Sequence, residues 1–254
     1  MKTDLILMAA GNSRRFGSNK LLYEWKGKKL YRYMLDALLE AAEELEKNSG
    51  ADTGNRDVSG GRSESRQRNI RVRVVTQYEE ILKDMEQPGG EGSDEVFQPV
   101  SGNGCGIRGR QEKRAENQRA DFAREREEGS FLAGIYSPES VKGLSYTIRK
   151  ALDFEAADPP DYFAFFTADT PELSADEIRG FLEAFFASGH SVACVRCGEA
   201  YGNPAVFSWK YAPLFQTLTG DQGGKKVLNQ LLDDCFFYEL PERCRRDIDT
   251  PEDL

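Results

Sequence analysis

Short apolar runs alternate with amphipathic stretches along most of the chain. Three runs, at residues 3–9, 130–136 and 162–167, have the length and composition of buried β-strands. Ile70–Thr76 alternates valine with arginine, which predicts a strand that is exposed on one face or lies at a sheet edge. Apolar residues at three- and four-residue steps predict a helix over Leu30–Lys47. This alternation of strands and helices predicts an α/β fold with a three-layer, doubly wound, mostly parallel sheet.

The remaining predicted elements continue the same alternation. Ser174, with Glu177 three residues later, forms a capping box that marks the start of a helix. Further helices are predicted at 78–85, 144–154, 174–188, 211–218 and 224–232, and further strands at 191–197, 202–207 and 236–239.

Two polar segments interrupt this pattern, at residues 48–69 and 87–129. The first is rich in Gly, Ser, Asp and Arg and predicts a flexible loop. The second is glycine-rich and then crowded with Arg and Glu. Over 109–128 this charge pattern is typical either of a helix with charges around its whole surface or of a disordered arm. We therefore interpret residues 1–254 as a single domain with two flexible insertions. A partner-binding role for the second insertion stays open beside that of a tolerated, mobile segment.

The composition limits the classes of partner and compartment. The chain has 254 residues, with 43 acidic and 34 basic side chains and a net charge of −9. This surplus of negative charge argues against nucleic-acid binding. Because no apolar run has the length of a membrane span and the N-terminus lacks a secretion signal, we expect no membrane partner and a cytoplasmic location. In that compartment the five cysteines predict no disulfide framework.

Cysteine and histidine chemistry is not favoured. Cys194 and Cys197 form a CxxC pair, which has a spacing used in zinc and redox sites. A tetrahedral site needs two more ligands, and Cys235 and Cys244 are not spaced as a second pair. The alternating sequence around Cys194 favours strand side chains instead. The single histidine, His190, follows a predicted helix end, where capping or exposure to solvent is favoured over catalysis.

The first predicted strand leads into a loop of small, polar and basic residues. Ala9 and Ala10 let a ligand come close to the backbone, and Gly11 can adopt positive φ. Exposed main-chain N–H groups, with Lys20 and the neighbouring arginines, suit an anion such as a triphosphate. No Gly-Lys-Ser/Thr follows the glycines, so the loop is not of the Walker type. The competing interpretation is a β–α turn that binds nothing.

A second chemical signal is an aspartate, Asp169, just after the central predicted strand 162–167 and before Pro171. Side chains at the carboxyl end of such a strand point into the ligand crevice of an α/β sheet. Carboxylates suit Mg²⁺, which prefers hard oxygen ligands and bridges phosphate oxygens. The alternative is an ordinary surface turn.

Residues Leu7–Lys20 resemble the signature loop of the nucleotidyltransferases with the GT-A-like fold, Leu-Ala-Ala-Gly-x-Ser-x-Arg-Met-Gly-x-x-Lys, with Phe16 in place of methionine. Other segments resemble further motifs of that family and follow the family order. These segments are 143–146, 167–171, 202–204, 220–225 and 247–254. The resemblance spans most of the chain outside the two insertions and implies a Rossmann-like nucleotidyltransferase fold.

The resemblance also implies a set of site residues. The implied catalytic residues are Arg15, Lys20 and Asp169. The implied nucleotide-binding residues are Ala9, Ala10, Gly11, Asn12, Ser13, Arg14, Lys20 and Ser145. The implied acceptor-binding residues are Gly202, Asn203, Pro204, Asp221 and Gly223. Asp169 and Asp249 are implied as the ligands of Mg²⁺, although Asp249 would equally suit the cap of a helix that begins at Thr250.

Within the family, the likeness is greatest to the molybdenum cofactor cytidylyltransferases. They share the Ala-Ala-Gly form of the loop and the Gly-Asn-Pro and Gly-Asp-x-Gly-Gly segments. Two positions depart from the family: Thr170 replaces the glutamine of its Ala-Asp-Gln-Pro motif, and Gln222 replaces the lysine of its Gly-Asp-Lys-Gly motif. The resemblance implies transfer of CMP from CTP to the phosphate of molybdopterin, with release of pyrophosphate. A methyl group on Ala10 beside the base would favour a pyrimidine.

Two alternatives remain beside this interpretation. A transferase of the same fold would act on another phosphorylated acceptor, such as a sugar phosphate or methylerythritol phosphate. A non-catalytic carrier or insertion chaperone would bind the molybdenum cofactor and deliver it to a molybdenum hydroxylase, which would then be its protein partner.

Overall fold

A computed structural model of the protein describes residues 1–12, 19–51, 68–86, 122–125, 131–248, 250 and 253. Most of both predicted insertions lies outside these residues. The same is true of four predicted site residues, namely Ser13, Arg14, Arg15 and Asp249.

The described residues form one large sheet and one short hairpin, flanked by helices. The strands are β1 (Lys2–Met8), β2 (Glu24–Trp25), β3 (Lys28–Lys29), β4 (Asn69–Thr76), β5 (Phe122–Glu125), β6 (Phe131–Tyr136), β7 (Tyr162–Thr167), β8 (Val192–Cys197), β9 (Ala200–Ser208) and β10 (Cys235–Glu239). The helices are α1 (Leu30–Ala51), α2 (Glu79–Glu86), α3 (Leu144–Glu155), α4 (Ala175–Ser188), α5 (Ala212–Phe215) and α6 (Gly224–Leu228). Short 3₁₀ turns include Lys20–Leu22, Pro138–Lys142 and Glu242–Arg245.

The large sheet has the strand order β10-β8-β9-β7-β1-β4-β6-β5. β1 lies in the centre and is parallel to both of its neighbours, β7 and β4. Only β9 and β5 run antiparallel to the strands beside them. The predicted doubly wound, mostly parallel sheet is therefore confirmed. The carboxyl ends of β1, β4, β6 and β7 meet along one edge, where ligands bind in such sheets.

Two apolar cores cover the two faces of the sheet, which gives the predicted three layers. Leu5 and Leu7 of β1 point to the face covered by α1, α2 and α4. Ile6 points to the opposite face, covered by α3, α5 and α6. This alternation follows from the two-residue period of a strand and buries β1 on both sides. Within the described ranges, none of the helices is both long and apolar enough to cross a membrane.

The predicted helix over 109–128 is wrong where the structure describes it. Residues Phe122–Glu125 form β5, which pairs antiparallel with β6 from Phe131 to Gly134. The backbone of β6 offers unpaired hydrogen-bonding groups at its outer edge, and pairing with them overrides the local charge pattern. Helix α1 continues beyond its predicted end at Lys47, to Ala51, and β4 begins at Asn69.

The prediction that β4 is exposed on one face or lies at a sheet edge is also wrong. β4 lies between β1 and β6, and its arginines Arg71 and Arg73 are buried. Arg71 donates hydrogen bonds to both carboxylate oxygens of the fully buried Asp4, and also to Asp158. A paired and hydrogen-bonded charge can be buried, which a pattern of polar and apolar letters does not reveal.

Candidate functional site

A cleft of about 350 Å³ opens at the carboxyl ends of β1 and β7. Met8 and Thr167, the last residues of these two strands, form part of its wall. The other lining residues are Ala10, Gly11, Asn12, Lys20, Leu21, Ser140, Leu144, Thr147, Ala168, Asp169 and Asp221. The structure therefore brings together predicted residues from three separate motifs. Ala9 lies behind the cleft, fully buried, and its N–H donates to the Val75 carbonyl within the sheet.

Two residues after β4 hold the beginning of the predicted phosphate loop. The side-chain amide of Gln77 donates to the Ala10 carbonyl at 2.7 Å and to the Asn12 side-chain oxygen at 2.9 Å. The Tyr78 hydroxyl donates to the Gly11 carbonyl at 2.7 Å. With two successive carbonyls tied down, the loop backbone is fixed in orientation before a ligand arrives. Sequence reasoning missed both residues, although they directly follow the end of a parallel strand.

Lys20 and Asp169 form an ion pair at the edge of the cleft. The Lys20 ammonium lies 2.8 Å from Asp169 Oδ2 and 2.7 Å from the Ile248 carbonyl oxygen. Lys20 is only 7% exposed, and Asn19, which accepts a hydrogen bond from the Leu21 N–H, fixes the 3₁₀ turn on which it stands. The Ile248 N–H in turn donates to the Asp169 carbonyl at 2.9 Å. The C-terminal segment is therefore fastened to the predicted catalytic pair.

The turn that carries Asp169 is closed by its own residues. The Thr170 hydroxyl donates to the Thr167 carbonyl at 3.0 Å, and the Ala168 N–H donates to the Met8 carbonyl at 3.4 Å. Thr170, which stands where the resembled family has glutamine, is buried and acts within the turn. The Asp169 side chain is left at the mouth of the cleft, where it is 23% exposed.

Two glycine motifs pack backbone to backbone at the far wall of the cleft. A Cβ placed on Gly143, which has φ +135°, would lie 2.4 Å from the carbonyl carbon and oxygen of Gly220. The Ser145 N–H donates to that same carbonyl at 3.0 Å. A Cβ on Gly223 would lie 2.7 Å from a methyl group of Leu144. The two glycines therefore permit the close approach that sets Leu144 and Asp221 into the wall.

The predicted residues near these glycines differ in whether they line the cleft. Asp221 lines the cleft, whereas Gly223 packs behind it. Ser145 is completely buried and does not line the cleft, so its predicted contact with nucleotide stays a prediction. The Gln222 side-chain oxygen accepts from the Thr219 N–H in the same loop and from the Lys226 ammonium on α6.

Three buried hydroxyl groups form a chain beneath the cleft. Thr147 donates to Ser140 at 2.7 Å, and Ser140 donates to Ser137 at 2.8 Å. Ser140 and Thr147 line the cleft, between the loop after β1 and the far wall. Hydroxyl groups both donate and accept, so this chain can present either function to a ligand. The sequence analysis did not single out these residues.

The predicted acceptor segment Gly202–Pro204 lies on β9 and does not line the cleft. A Cβ on Gly202 would lie 3.8 Å from the guanidinium of Arg245, which stands three residues before Ile248. Asn203–Pro204 is a cis peptide bond. The role of this segment in acceptor binding stays a prediction.

The donor set at the cleft fits a divalent cation. Asp169 offers a carboxylate and Ile248 a carbonyl, and a buried ammonium already lies where these two oxygens converge. Mg²⁺ is commonly bound by one or two carboxylates together with substrate phosphates and water. The part of the chain that the structure describes contains no group of three His, Cys, Asp or Glu side chains that could hold a metal ion.

The four cysteines and the histidine that the structure describes do not line the cleft. Cys194 and Cys197 are strand residues of β8, as predicted, and the Cys194 sulfur lies 3.7 Å from that of Cys235 on the neighbouring strand β10. The hydrogen bond with Cys235 and burial both raise the pKa of the Cys194 thiol. His190 is exposed next to Gly189, which ends α4 in the left-handed conformation.

Solved structures share the fold of the chain over nearly its whole length. Rv0371c from Mycobacterium tuberculosis H37Rv is 14% identical, with a TM-score of 0.59 over 100% of this chain and 96% of the other. A manganese complex of Rv0371c is also 14% identical and has a TM-score of 0.51 over 99% and 95% of the two chains.

Two further solved structures also share the fold. Molybdopterin-guanine dinucleotide biosynthesis protein A from Archaeoglobus fulgidus is 13% identical, with a TM-score of 0.52 over 98% of this chain and 94% of the other. The 4-diphosphocytidyl-2C-methyl-D-erythritol synthase from Anaerococcus prevotii is 13% identical, with a TM-score of 0.55 over 99% and 94%. At these identities the likeness shows the Rossmann-like nucleotidyltransferase fold.

The amino-acid sequence matches one family over more than half of its length. No curated protein matches the sequence. The family match covers residues 5–89 and 115–235, and so includes the loop after β1, Asp169, the Gly-Asn-Pro segment and the glycine-rich loop at 220–224. The chain belongs to the MobA-like NTP transferase domain family, and is thus a nucleotidyltransferase by fold and by sequence.

Proposed function

We propose that the protein transfers CMP from CTP to the phosphate of a molybdopterin-type acceptor, with release of pyrophosphate. The observation that carries the proposal is the position of Lys20 and Asp169, side by side at the rim of the cleft that the phosphate loop borders. A cation and a carboxylate at that point are what transfer of an α-phosphoryl group requires.

The reaction needs alignment and charge neutralisation rather than a base. The acceptor phosphate is ionised at neutral pH, so its oxygen can attack the α-phosphorus of CTP directly. A new phosphorus–oxygen bond forms as the bond to the bridging oxygen of the pyrophosphate breaks. Catalysis of such a transfer comes mainly from positioning and electrostatic stabilisation.

The chain's own residues supply these two effects. Main-chain N–H groups at Ala10 and Gly11 hold the phosphates, in an orientation that Gln77 and Tyr78 fix from behind. Lys20 and the predicted Arg15 neutralise the charge that builds up on the α-phosphoryl and pyrophosphate oxygens. Asp169 and Asp249 are the residues that would hold a divalent cation, proposed as Mg²⁺, which as a Lewis acid would polarise the phosphoryl oxygens. Asp249 follows Ile248 directly in the chain, and Ile248 contacts Lys20.

The nucleotide base fits between the loop and the far wall. The methyl group of Ala10 lines the cleft there, and the hydroxyl groups of Ser140 and Thr147 offer hydrogen bonds. A methyl group beside the base favours the smaller pyrimidine, which is the physical basis for proposing CTP over GTP.

The acceptor is the least constrained part of the proposal. Molybdopterin is supported by the resemblance of the motifs and by the name of the Archaeoglobus fulgidus protein with the same fold. The Anaerococcus prevotii enzyme is named for a diphosphocytidyl product on methylerythritol, which favours another phosphorylated acceptor as a second candidate. Asp221 lines the cleft from the motif proposed to meet the acceptor.

A substrate panel tests the proposal. Pyrophosphate release is measured for CTP, GTP, UTP and ATP, each with molybdopterin and with methylerythritol phosphate, in Mg²⁺ or Mn²⁺. The proposal expects release with CTP and molybdopterin, and none from the Asp169→Asn variant. Release with methylerythritol phosphate alone would identify the second candidate, and binding of molybdopterin without any release would favour the carrier.

A further inference from the structure

The ammonium group of Lys20 lies at the position where the proposed metal ion would bind. The Lys20 ammonium is 2.8 Å from Asp169 Oδ2 and 2.7 Å from the Ile248 carbonyl oxygen. Lys20 is only 7% exposed to solvent. One carboxylate oxygen and one carbonyl oxygen therefore converge on a single, largely desolvated positive charge.

Those two oxygens are also suitable ligands for a divalent cation. Carboxylate and backbone carbonyl oxygens are hard ligands of the type that Mg²⁺ and Mn²⁺ prefer. An ammonium and a divalent cation cannot share the same carboxylate oxygen without strong repulsion in a partly buried site. A metal that reaches Asp169 Oδ2 must therefore compete with Lys20 for it.

The cleft offers Lys20 another anionic partner once a nucleotide is present. Lys20 lines the same cleft as Ala10 and Gly11, whose main-chain N–H groups are proposed to hold the phosphates. The lysine side chain has four methylene groups and can swing its ammonium without movement of the backbone. A triphosphate in the cleft would therefore attract Lys20 away from Asp169 as it binds.

We propose that Asp169 Oδ2 and the Ile248 carbonyl form a cation site that Lys20 fills in the nucleotide-free protein, so that metal and nucleoside triphosphate bind cooperatively. The metal binds weakly to the free protein because Lys20 blocks it. The nucleotide removes the block, and by linkage the metal strengthens nucleotide binding by the same factor. This inference rests on the proposed function, because it takes a nucleoside triphosphate as the ligand of the cleft.

Metal binding to the nucleotide-free protein gives the first test. Mn²⁺ affinity is measured by the electron paramagnetic resonance signal of free Mn²⁺ for the wild type and for Lys20→Met, which keeps the length of the side chain and removes the charge. We expect Lys20→Met to bind Mn²⁺ at least about 10-fold more tightly than the wild type. Lys83→Met, which removes an exposed charge on α2, is expected to leave the affinity unchanged.

A second set of variants separates the block from a general change in structure. Lys20→Gln is a second neutral variant in case Lys20→Met does not fold, as judged by thermal unfolding. The double variant Lys20→Met with Asp169→Asn is expected to lose the gain in affinity, because the metal then lacks its carboxylate. Equal Mn²⁺ affinity in the wild type and in both folded neutral variants would overturn the inference.

The coupling itself is measured with a non-hydrolysable CTP analogue. Calorimetric titrations of the analogue with and without Mn²⁺ are corrected for binding of Mn²⁺ by the analogue in solution. The wild type is expected to gain at least about 10-fold in affinity with Mn²⁺, and Lys20→Met is expected to gain less. If analogue and metal both bind but without coupling, the inference fails while the proposed function stands. If neither form binds Mn²⁺ even with the analogue, the metal assignment in the proposed function fails as well.

Discussion

The ammonium of Lys20 and the carboxylate of Asp169 lie 2.8 Å apart although 149 residues separate them in the chain. Lys20 follows the loop after β1, and Asp169 follows β7, the strand that pairs with β1 on one side. The parallel pairing of the two central strands thus brings a predicted nucleotide-binding motif and a predicted metal-binding motif to the same edge. The fold therefore places both charged groups that the proposed reaction uses at one site.

Replacement of Asp169 by asparagine is expected to lower the rate of pyrophosphate release by about 10³-fold or more, because the developing charge loses its metal-bound counter-charge. The side-chain volume is kept, but the buried Lys20 ammonium loses its counter-charge, so the unfolding temperature is expected to fall. Steady-state kinetics and thermal unfolding measure the two effects. The control is Asp153→Asn, which changes an exposed carboxylate on α3 that does not line the cleft. This variant should keep full activity. Activity close to wild type in Asp169→Asn would rule out the proposed metal role.

Replacement of Tyr78 by phenylalanine is expected to weaken nucleotide binding by about 3- to 10-fold, because the hydroxyl group no longer holds the Gly11 carbonyl. The rate at saturating nucleotide should change less than the KM, since Tyr78 acts through the loop and not on the reacting atoms. Calorimetry with the CTP analogue and steady-state kinetics separate the two. Tyr211→Phe, away from the cleft, should bind as the wild type does, and an unchanged affinity in Tyr78→Phe would exclude the positioning role.

Much of the fold could be predicted because local periodicity and long-range structure agree there. Strand β7 has the predicted bounds, and α4 begins after Ser174 with the predicted capping box to Glu177. β1 and β7 are apolar runs because helices cover both faces of the sheet. For these elements the residues that decide local structure are also the residues that build the core.

Other features depend on partners that local sequence does not specify. Arg71 reads as a solvent-facing residue until Asp4, 67 positions earlier, is known to lie beside it. Phe122–Glu125 reads as part of a charged helix until the edge of β6 supplies a pairing strand. At the site, Lys20 and Asp169 could be found from motifs, but Gln77 and Ser140 could not, because their contacts arise only when β4 pairs with β1 and β6 pairs with β4.

A network around Asp84 is expected to contribute to stability in a pH-dependent way. Its carboxylate accepts hydrogen bonds from Lys29, Tyr31 and Arg32, and so ties α2 to the start of α1. Burial alone would raise the pKa of Asp84, but these partners outweigh it and hold the pKa below its usual value. Asp84→Asn should therefore lower the free energy of unfolding by about 2 kcal/mol at neutral pH.

The sign of the pH effect follows from the lowered pKa. Stability from ionised Asp84 is fully present above the unfolded-state pKa, near 4, and is lost as the pH falls through the lower folded-state pKa. The difference between wild type and Asp84→Asn should thus be constant from pH 7 to 5 and shrink below about pH 4. Urea unfolding across this range measures it. Glu79→Gln on the same helix should cost less than about 0.5 kcal/mol, and a pH-independent Asp84→Asn difference would contradict the prediction.

Replacement of Gly143 by alanine is expected to destabilise the far wall of the cleft. The new Cβ would lie 2.4 Å from the Gly220 carbonyl, at φ +135°, so both clash and backbone strain apply. The cost should be about 3 kcal/mol or more. Gly189→Ala is the matched control, because its φ is +71° but nothing lies within 4 Å, and it should cost about 1 to 2 kcal/mol. Equal costs in thermal unfolding would show that Gly220 gives way and that the contact does not shape the wall.

Replacement of Ala10 by glycine tests the origin of base selectivity. If the methyl group of Ala10 favours a pyrimidine by filling space beside the base, its removal should lower the ratio of kcat/KM for CTP over GTP by about 10-fold. The loss should come from better use of GTP, since the larger purine gains room, while kcat/KM for CTP stays within a few-fold. Ala9→Gly is the matched control, because Ala9 is fully buried behind the cleft and should lose stability without a change in the ratio. A constant ratio in Ala10→Gly would show that this methyl group is not the source of base selectivity.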